Sequence, residues 1–518
     1  MQKPESFEVS KQEGGEISVD LEIGTEAVPA DIPRSSGRFA GNVLIMAGGT
    51  AIAQGLSVLL APIVARLFAP QAFGLAALFS SITIIIGAVV NLRYELAIHI
   101  PKSDEDAANL LAISLGSALG FCGLSVAIIL IAGDPLLVLI DAPELKPFLW
   151  LIPVAVLVRG FFQALSQWLA RRKRFGGISL ASVSESITTN GLQVGMGTAG
   201  LGVPGWLIGS RIMGSIISMG LLSAQAWRRD GQVFRQTISR DRMRAQAIRF
   251  KKFPLYSTWS ALLNVVSWQM PTLLLSAFFS TSIVGFYDLG TRTLRLPMDL
   301  LGNAIAKVFL QRAAKAGWDG DLAIVVEGVF KRLVAIGMFP MLLLGLIGRD
   351  AFALVFGSNW AVAGVYAQIL SVWTFFWFIS SPLSTLFTIL EKLEFGLRLN
   401  MVNLATRLTS LLIGGLLNDA KLALFLFGAS GVVVYGYLAY SILAEAGVSR
   451  MTTTKILLNN LLISLPAIVL IAAMQIFGVS SLIVLVVAGI LVIAYLAYRV
   501  LIDHQLRTGL LAFFKIRT

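Results

Sequence analysis

The feature that most limits this chain is a series of apolar stretches, each about 20 residues long, repeated almost from end to end. As helix, about 20 residues match the roughly 30 Å hydrocarbon core of a bilayer. Backbone in hydrocarbon satisfies its own polar groups only as helix or closed barrel. Unbroken runs of this length predict an all-α polytopic membrane protein. Composition agrees: 56% of residues are hydrophobic and 14% are charged, where a soluble protein carries roughly 25% charged residues. A soluble enzyme, a disordered chain and a secreted disulfide scaffold are thereby excluded. A single cysteine, Cys122, allows no intrachain disulfide. With only His99 and His504 beside it, a Cys/His metal site has no ligand set.

The apolar runs divide into about fourteen expected spans, among them 73–98 (the second), 283–311 (the eighth) and 362–390 (the tenth). Orientation follows from Lys and Arg in the short joints. Arg171-Arg172-Lys173-Arg174, the bases from Arg228 to Lys252, and Lys102, Arg312, Lys392 and Arg450 all fall in even-numbered joints. The odd joints hold little beyond Lys146, Arg349 and Lys421. Both termini are therefore expected in the cytoplasm. Residues 1–40 carry eight acids against four bases, about −4, so with a net charge of +12 for the whole chain the membrane body carries about +16. They read as a disordered acidic cytoplasmic tail. The remaining divisions are 41–227 (spans one to six), 228–253 (a basic amphipathic linker on anionic lipid), 254–447 (spans seven to twelve) and 448–518 (two further spans and the C-terminus).

An internal repeat supports two six-helix lobes followed by two C-terminal helices. Phe68-Ala69-Pro70-Gln71-Ala72-Phe73-Gly74-Leu75 aligns with Phe279-Ser280-Thr281-Ser282-Ile283-Val284-Gly285-Phe286. Paired lobes of this kind are the design of many alternating-access transporters.

Charges at bilayer depth narrow the function. Arg159, Arg211, Arg292, Arg295 and Arg407 fall there, against Glu185, Asp288 and Asp299. Five unpaired arginines would oppose insertion by roughly 12–17 kcal/mol, so they are expected to face a wet cavity or partners. The surplus of bases predicts a positively charged interior suited to an anion, since Arg binds phosphate in bidentate fashion. Asp288, Arg292, Arg295, Asp299 and Asn303 recur on one helical face. They either line a pathway or form i,i+4 pairs. Pro297 on that helix removes a backbone hydrogen bond and marks a place to bend. The fifth span is rich in Ser and Thr and includes Asn190, as expected for a cavity wall. Glu185 is a candidate partner of Arg159 or carrier of a coupling H⁺ or Na⁺. Gln54, Gln163, Asn190, Asn264 and Gln269 are candidates for sugar contacts. Arg93 and Glu95 lie near a span end, where snorkelling alone accounts for them. The sequence has no Gly-rich loop ending in Gly-Lys-Ser/Thr and no Ser/His/Asp set, so no covalent chemistry and no resident cofactor are expected.

Several motifs in combination resemble the polysaccharide biosynthesis (oligosaccharide flippase) family of the multidrug/oligosaccharidyl-lipid/polysaccharide exporter superfamily. They include Gly48-Gly49-Thr50, Ala61-Pro62-Ile63-Val64-Ala65-Arg66-Leu67-Phe68-Ala69-Pro70, Arg93-Tyr94-Glu95-Leu96, Phe162-Gln163-Ala164-Leu165, Arg295-Leu296-Pro297 and Phe309-Leu310-Gln311-Arg312. The resemblance implies translocation of an undecaprenyl-diphosphate-linked oligosaccharide across the bacterial inner membrane, for lipopolysaccharide, capsule or exopolysaccharide assembly. It implies a functional or gating role for Arg93 and Glu95, and makes pathway polymerases and glycosyltransferases the candidate protein partners. Arg93 joins Arg159, Arg211, Arg292, Arg295 and Arg407 as a diphosphate-binding candidate. Two rival functions remain at this level. A multidrug or cation antiporter of the same superfamily would need an acidic cavity, and a glycan polymerase or ligase would need a larger external loop.

Overall fold

Segments that are apolar on every side gain most by coiling and then packing against one another in the bilayer. The computed structural model describes residues 36–390 and 392–502, with side chains from residue 48 onward apart from residue 50 and scattered positions within 300–319 and 388–397. The acidic tail and the last residues of the C-terminus lie outside the described residues. A first bundle holds α1 (Ser36–Leu67), α2 (Pro70–Gly87), the one-turn α3 (Tyr94–Ala97), α4 (Asp104–Leu139), α5 (Leu151–Arg171), α6 (Phe175–Thr198) and α7 (Pro204–Thr237). After α8 (Arg240–Arg249), a second bundle begins with α9 (Thr258–Phe278), α10 (Thr281–Pro297), α11 (Asn303–Asp319) and α12 (Leu322–Phe356). It continues with α13 (Ala361–Ser380), α14 (Leu386–Ile389), α15 (Leu393–Leu416) and α16 (Ala420–Glu445). Finally α17 (Arg450–Ile476) and α18 (Ser481–Ile502) pack on α12.

Among the described residues, ten helical segments are long and apolar enough to cross a membrane. The chain is a multi-pass membrane protein. α6, α10 and α15 coincide with expected spans yet are not among the ten: α10 is only 17 residues long, and α6 and α15 are diluted by polar and charged residues.

Three expected spans are not single helices. The second stops at Gly87 and resumes only as α3, with Leu92 and Arg93 at φ 50 and 62 between them. The eighth is α10, a π-helical turn over Met298–Gly302, and then α11. Pro297 has no N–H to give the ladder, and a wider turn absorbs the missing bond. The tenth breaks after Ser380 into a 3₁₀ turn, Pro382–Thr385, before α14. Nor is the basic stretch 228–253 one helix lying on lipid. α7 runs through it to Thr237 and buries Asp230 and Phe234, while α8 packs on α4 with Asn109 Nδ2 donating to the carbonyl of Thr237 (3.0 Å).

The two bundles meet mainly through α2, which packs on α10 and α9. Gly74 and Gly285, matched in the repeat, meet face to face. A Cβ on Gly74 would sit 1.7 Å from the Thr281 carbonyl oxygen, and one on Gly285 would sit 1.9 Å from that of Pro70. Pro70 and Thr281 are themselves matched positions, so the contact is reciprocal, as expected at a two-fold axis between related halves.

Candidate functional site

A cavity of about 660 Å³ opens among α1, α2, α5, α6, α7 and α10. Its wall combines Gln54, Arg159, Glu185, Asn190, Arg211, Arg292 and Asp299 with serines, threonines and a few apolar side chains. The expected polar wall of the fifth span is thus α6.

Several of the polar and charged side chains in this cavity have named partners. Arg159 crosses α2 at Gly87, where a Cβ would lie 2.4 Å from its Cδ and Nε and would push the guanidinium arm aside. Glu185 is the carboxylate that acts on Arg159, and it accepts a hydrogen bond from Ser215 Oγ (2.7 Å). Arg211 donates to Ser80 Oγ (2.8 Å) and lies within the field of both Arg292 and Asp288. Asn190 Nδ2 donates to Ser57 Oγ (3.0 Å), and Ser186 Oγ donates to the carbonyl of Ala53 (2.8 Å), which ties α6 to α1. Arg159, Arg292 and Asp299 are exposed to the cavity space.

The cavity is closed at the end away from the basic joints. Among the described residues, the hydrogen bonds joining the two bundles all lie there. Trp360 Nε1 donates to the carbonyl of Ala65 (2.7 Å), Arg66 Nη2 to that of Leu354 (2.6 Å), and Ser276 Oγ to that of Ile140 (2.6 Å). The Trp360 ring also meets Phe73 edge-on at 4.8 Å, and the glycine contact is formed by the next residue, Gly74.

Other expected site residues are placed elsewhere. Arg295 and Arg407 leave the cavity and enter the second bundle, where both guanidiniums stack on Trp268 (4.8 and 4.3 Å to the ring centre). Arg292 and Arg295 therefore do not share one surface. Neither expected i,i+4 pair on α10 forms an ion pair among the described residues, and the side chain of Asn303 lies outside them. Gln163 accepts from Asn91 Nδ2 (3.3 Å), while Asn264 and Gln269 on α9 lie outside the cavity lining. Arg93 adopts a left-handed backbone ahead of α3 and forms a 3.6 Å ion pair with the buried Glu95, so this motif fixes a corner of the first bundle rather than lining the cavity. The basic joint after α5 is consumed internally: Arg172 and Arg174 bind the buried Asp230, and Arg171 and Arg172 bind Asp104. Trp168 Nε1 also donates to Asp230 (3.0 Å). Sequence reasoning missed Trp268, Trp377 and Tyr435. In the repeat alignment Trp268 falls on Ser57, a polar cavity position, and that mismatch is the signal that finds it.

A family model described as polysaccharide biosynthesis protein matches residues 63–365, more than half of the chain. The chain belongs to this family. It is 23% identical over 328 residues to the succinoglycan biosynthesis transport protein ExoT of Rhizobium meliloti (strain 1021), covering 61% of this chain and 62% of that protein. The match thus spans a little under two thirds of that relative's length. An uncharacterized membrane protein in the cps region of Klebsiella pneumoniae is 26% identical over 155 residues, covering 29% of this chain and 32% of that one. Among solved structures, the lipid II flippase MurJ in an inward closed conformation superposes with a TM-score of 0.66 at 14% identity, covering 88% of this chain and 99% of that one. An inward-facing multidrug resistance MATE family transporter of the MOP superfamily gives 0.58 at 16% identity, covering 77% and 96%. The family member therefore has the fold shared by MurJ and MATE transporters, and ExoT, MurJ and the MATE protein are named as a transport protein, a flippase and a transporter.

Proposed function

We propose that this protein is a flippase that carries an undecaprenyl-diphosphate-linked oligosaccharide from the cytoplasmic to the periplasmic leaflet of the inner membrane, supplying surface-polysaccharide assembly. The observation that carries the reading is the interior cavity, walled by arginines, hydroxyls and amides and sealed at one end by contacts between two related bundles. With the basic joints in the cytoplasm, that seal lies on the periplasmic side. Substrate then enters from the cytoplasmic leaflet, with its lipid tail left in the membrane between the bundles. Sugars exchange water for the hydroxyls and amides of Gln54, Ser57, Ser186 and Asn190, while Arg159, Arg211 and Arg292 supply positive potential. Rocking of the bundles breaks the seal at Gly74, Gly285 and Trp360 and exposes the cavity to the other side. Glu185, held by Ser215 and answering Arg159, is the candidate for coupling to H⁺ or Na⁺.

The test is complementation of a deletion strain. Arg159→Ala combined with Arg211→Ala should abolish surface polysaccharide at unchanged protein abundance. Normal polysaccharide from that variant would contradict the reading. A cation antiporter would instead restore drug resistance to the deletion strain.

A further inference from the structure

Positive charge is also concentrated outside the polar cavity. In the second bundle, Arg407 is 3% exposed. Its Nη1 donates to the Ser267 carbonyl and Oγ (3.4 and 3.3 Å) and its Nη2 to Tyr435 Oη (3.2 Å). Its guanidinium lies over Trp268 and Phe427 (5.7 Å). Arg295 lies over the same Trp268 and over Trp377 (6.0 Å). The charged and titratable groups acting on Arg407 are Tyr435, Tyr287 and Arg295, with no carboxylate among them. Asp299 acts on Arg295, but it lines the other cavity and makes no ion pair with it. The Nε atoms of both arginines are buried without a hydrogen-bond partner, as are Trp373 Nε1 and Asn403 Oδ1 beside them.

Two guanidiniums sharing one indole, neither in an ion pair and Arg407 with no carboxylate acting on it, form an incomplete electrostatic arrangement. Cation–π stacking offsets only part of the cost of taking such ions out of water. Arg295 makes no hydrogen bond among the described residues, and Arg407 has its Nε–H left over beside the bonds to Ser267 and Tyr435. Guanidinium N–H groups left over in this way are the part that binds an oxyanion. Arg295, Trp268 and Trp377 are each partly exposed, so an anion reaches Arg295 first and Arg407 behind it. The indoles beside the charges supply flat apolar faces of the kind that pack against the C–H face of a sugar ring.

We propose that Trp268, Arg295, Trp377 and Arg407 form a second binding site, separate from the polar cavity, for a phosphate or carboxylate oxyanion borne by a sugar. Its ligand assignment rests on the flippase reading, while its charge and geometry do not. On this division of labour the neutral sugars occupy the polar cavity and the anionic group of the same substrate docks in the second bundle.

The experiment uses the full chain in nanodiscs, titrated calorimetrically with inorganic pyrophosphate and, separately, with glucuronate. Arg407→Lys and Arg295→Lys, which keep the charge but lose the planar fork, should each weaken binding by at least about tenfold. Arg235→Lys, at an exposed arginine outside both sites, should weaken it by no more than about twofold. Arg211→Lys reports the share of the polar cavity, and Trp268→Phe should remove most of the ligand-dependent change in tryptophan fluorescence. Thermal unfolding of each variant checks that it is folded. Dependence on Arg407 for pyrophosphate assigns the diphosphate to the site, and dependence for glucuronate alone assigns an acidic sugar. Either supports it. Binding that depends on Arg211 but not on Arg295 or Arg407, or no binding of either anion to the unmodified protein, overturns it. The flippase reading is judged separately, by movement of lipid-linked oligosaccharide in vesicles.

Discussion

The two bundles treat buried arginine in opposite ways. In the first bundle arginines are answered by carboxylates and hydroxyls: Arg159 by Glu185, Arg211 by Ser80 and Asp288, Arg172 and Arg174 by Asp230. In the second bundle Arg295 and Arg407 are held by indole faces, a tyrosine and a serine. The matched positions Ser57 and Trp268 condense the contrast. One joins a hydrogen-bonded network with Asn190, and the other carries two cations on its ring. The lesson is that a charge count over a whole interior hides where the uncompensated charge lies. Paired charges hold structure together, and charges left waiting for a partner point to a ligand.

Breaking the joint between the bundles should have the largest effect. Valine at Gly74 or Gly285 places carbon within 2 Å of a backbone carbonyl, which cannot yield without separating α2 from α10. Each substitution should reduce surface polysaccharide in complementation to below about a tenth, since bistable packed interfaces do not deform continuously. Normal polysaccharide would show that this contact never forms in the transport cycle.

The contrast itself is tested next. Asp230→Ala leaves Arg172, Arg174 and Trp168 without their buried acceptor and should destabilise the protein by about 3–5 kcal/mol, read as lowered resistance to unfolding in detergent. Arg407→Met, by contrast, removes an unneutralised buried charge while keeping volume. It should leave stability unchanged or raise it, yet abolish transport. Equal losses of stability from the two variants would erase the distinction between structural and ligand-directed arginines. A smaller effect is expected from Tyr435→Phe, which removes the hydroxyl that accepts from Arg407 and Asn403 and should cost about 1–2 kcal/mol in the same assay. The smallest is Trp360→Phe, which loses one hydrogen bond to Ala65 but keeps the ring against Phe73. About 1 kcal/mol of the closed end's stability should go, seen as a modest rise in labelling of cysteines placed near Ala65.

Much of the fold was legible because span length and positive joints are set by the thickness and charge asymmetry of the bilayer, not by tertiary detail. The breaks at Gly87 and Ser380 were not, since apolar residues continue across each and hydropathy does not register a change of helical turn; Pro297 marked the place of the third break but not its π-helical form. Depth along a helix correctly brought Arg159, Arg211 and Arg292 to one cavity. It did not separate Arg292 from Arg295, which differ by about 60° around α10 and fall on either side of the boundary between cavity and bundle interior. Gly74 and Gly285 were aligned by the repeat, yet only the packing reveals that the aligned residues touch. Trp268 and Trp377 read in sequence as ordinary apolar residues, because their use as cation platforms depends on neighbours from other helices.

The central claim is movement of a lipid-linked, anionic oligosaccharide between leaflets, and vesicles reconstituted with the purified chain test it most directly. With a fluorescent undecaprenyl-diphosphate oligosaccharide placed in one leaflet, its exchange should exceed that of protein-free vesicles and fall to that background for both Arg211→Ala and Arg407→Met. Exchange at background for the unmodified protein, in vesicles that instead transport organic cations, would contradict the account.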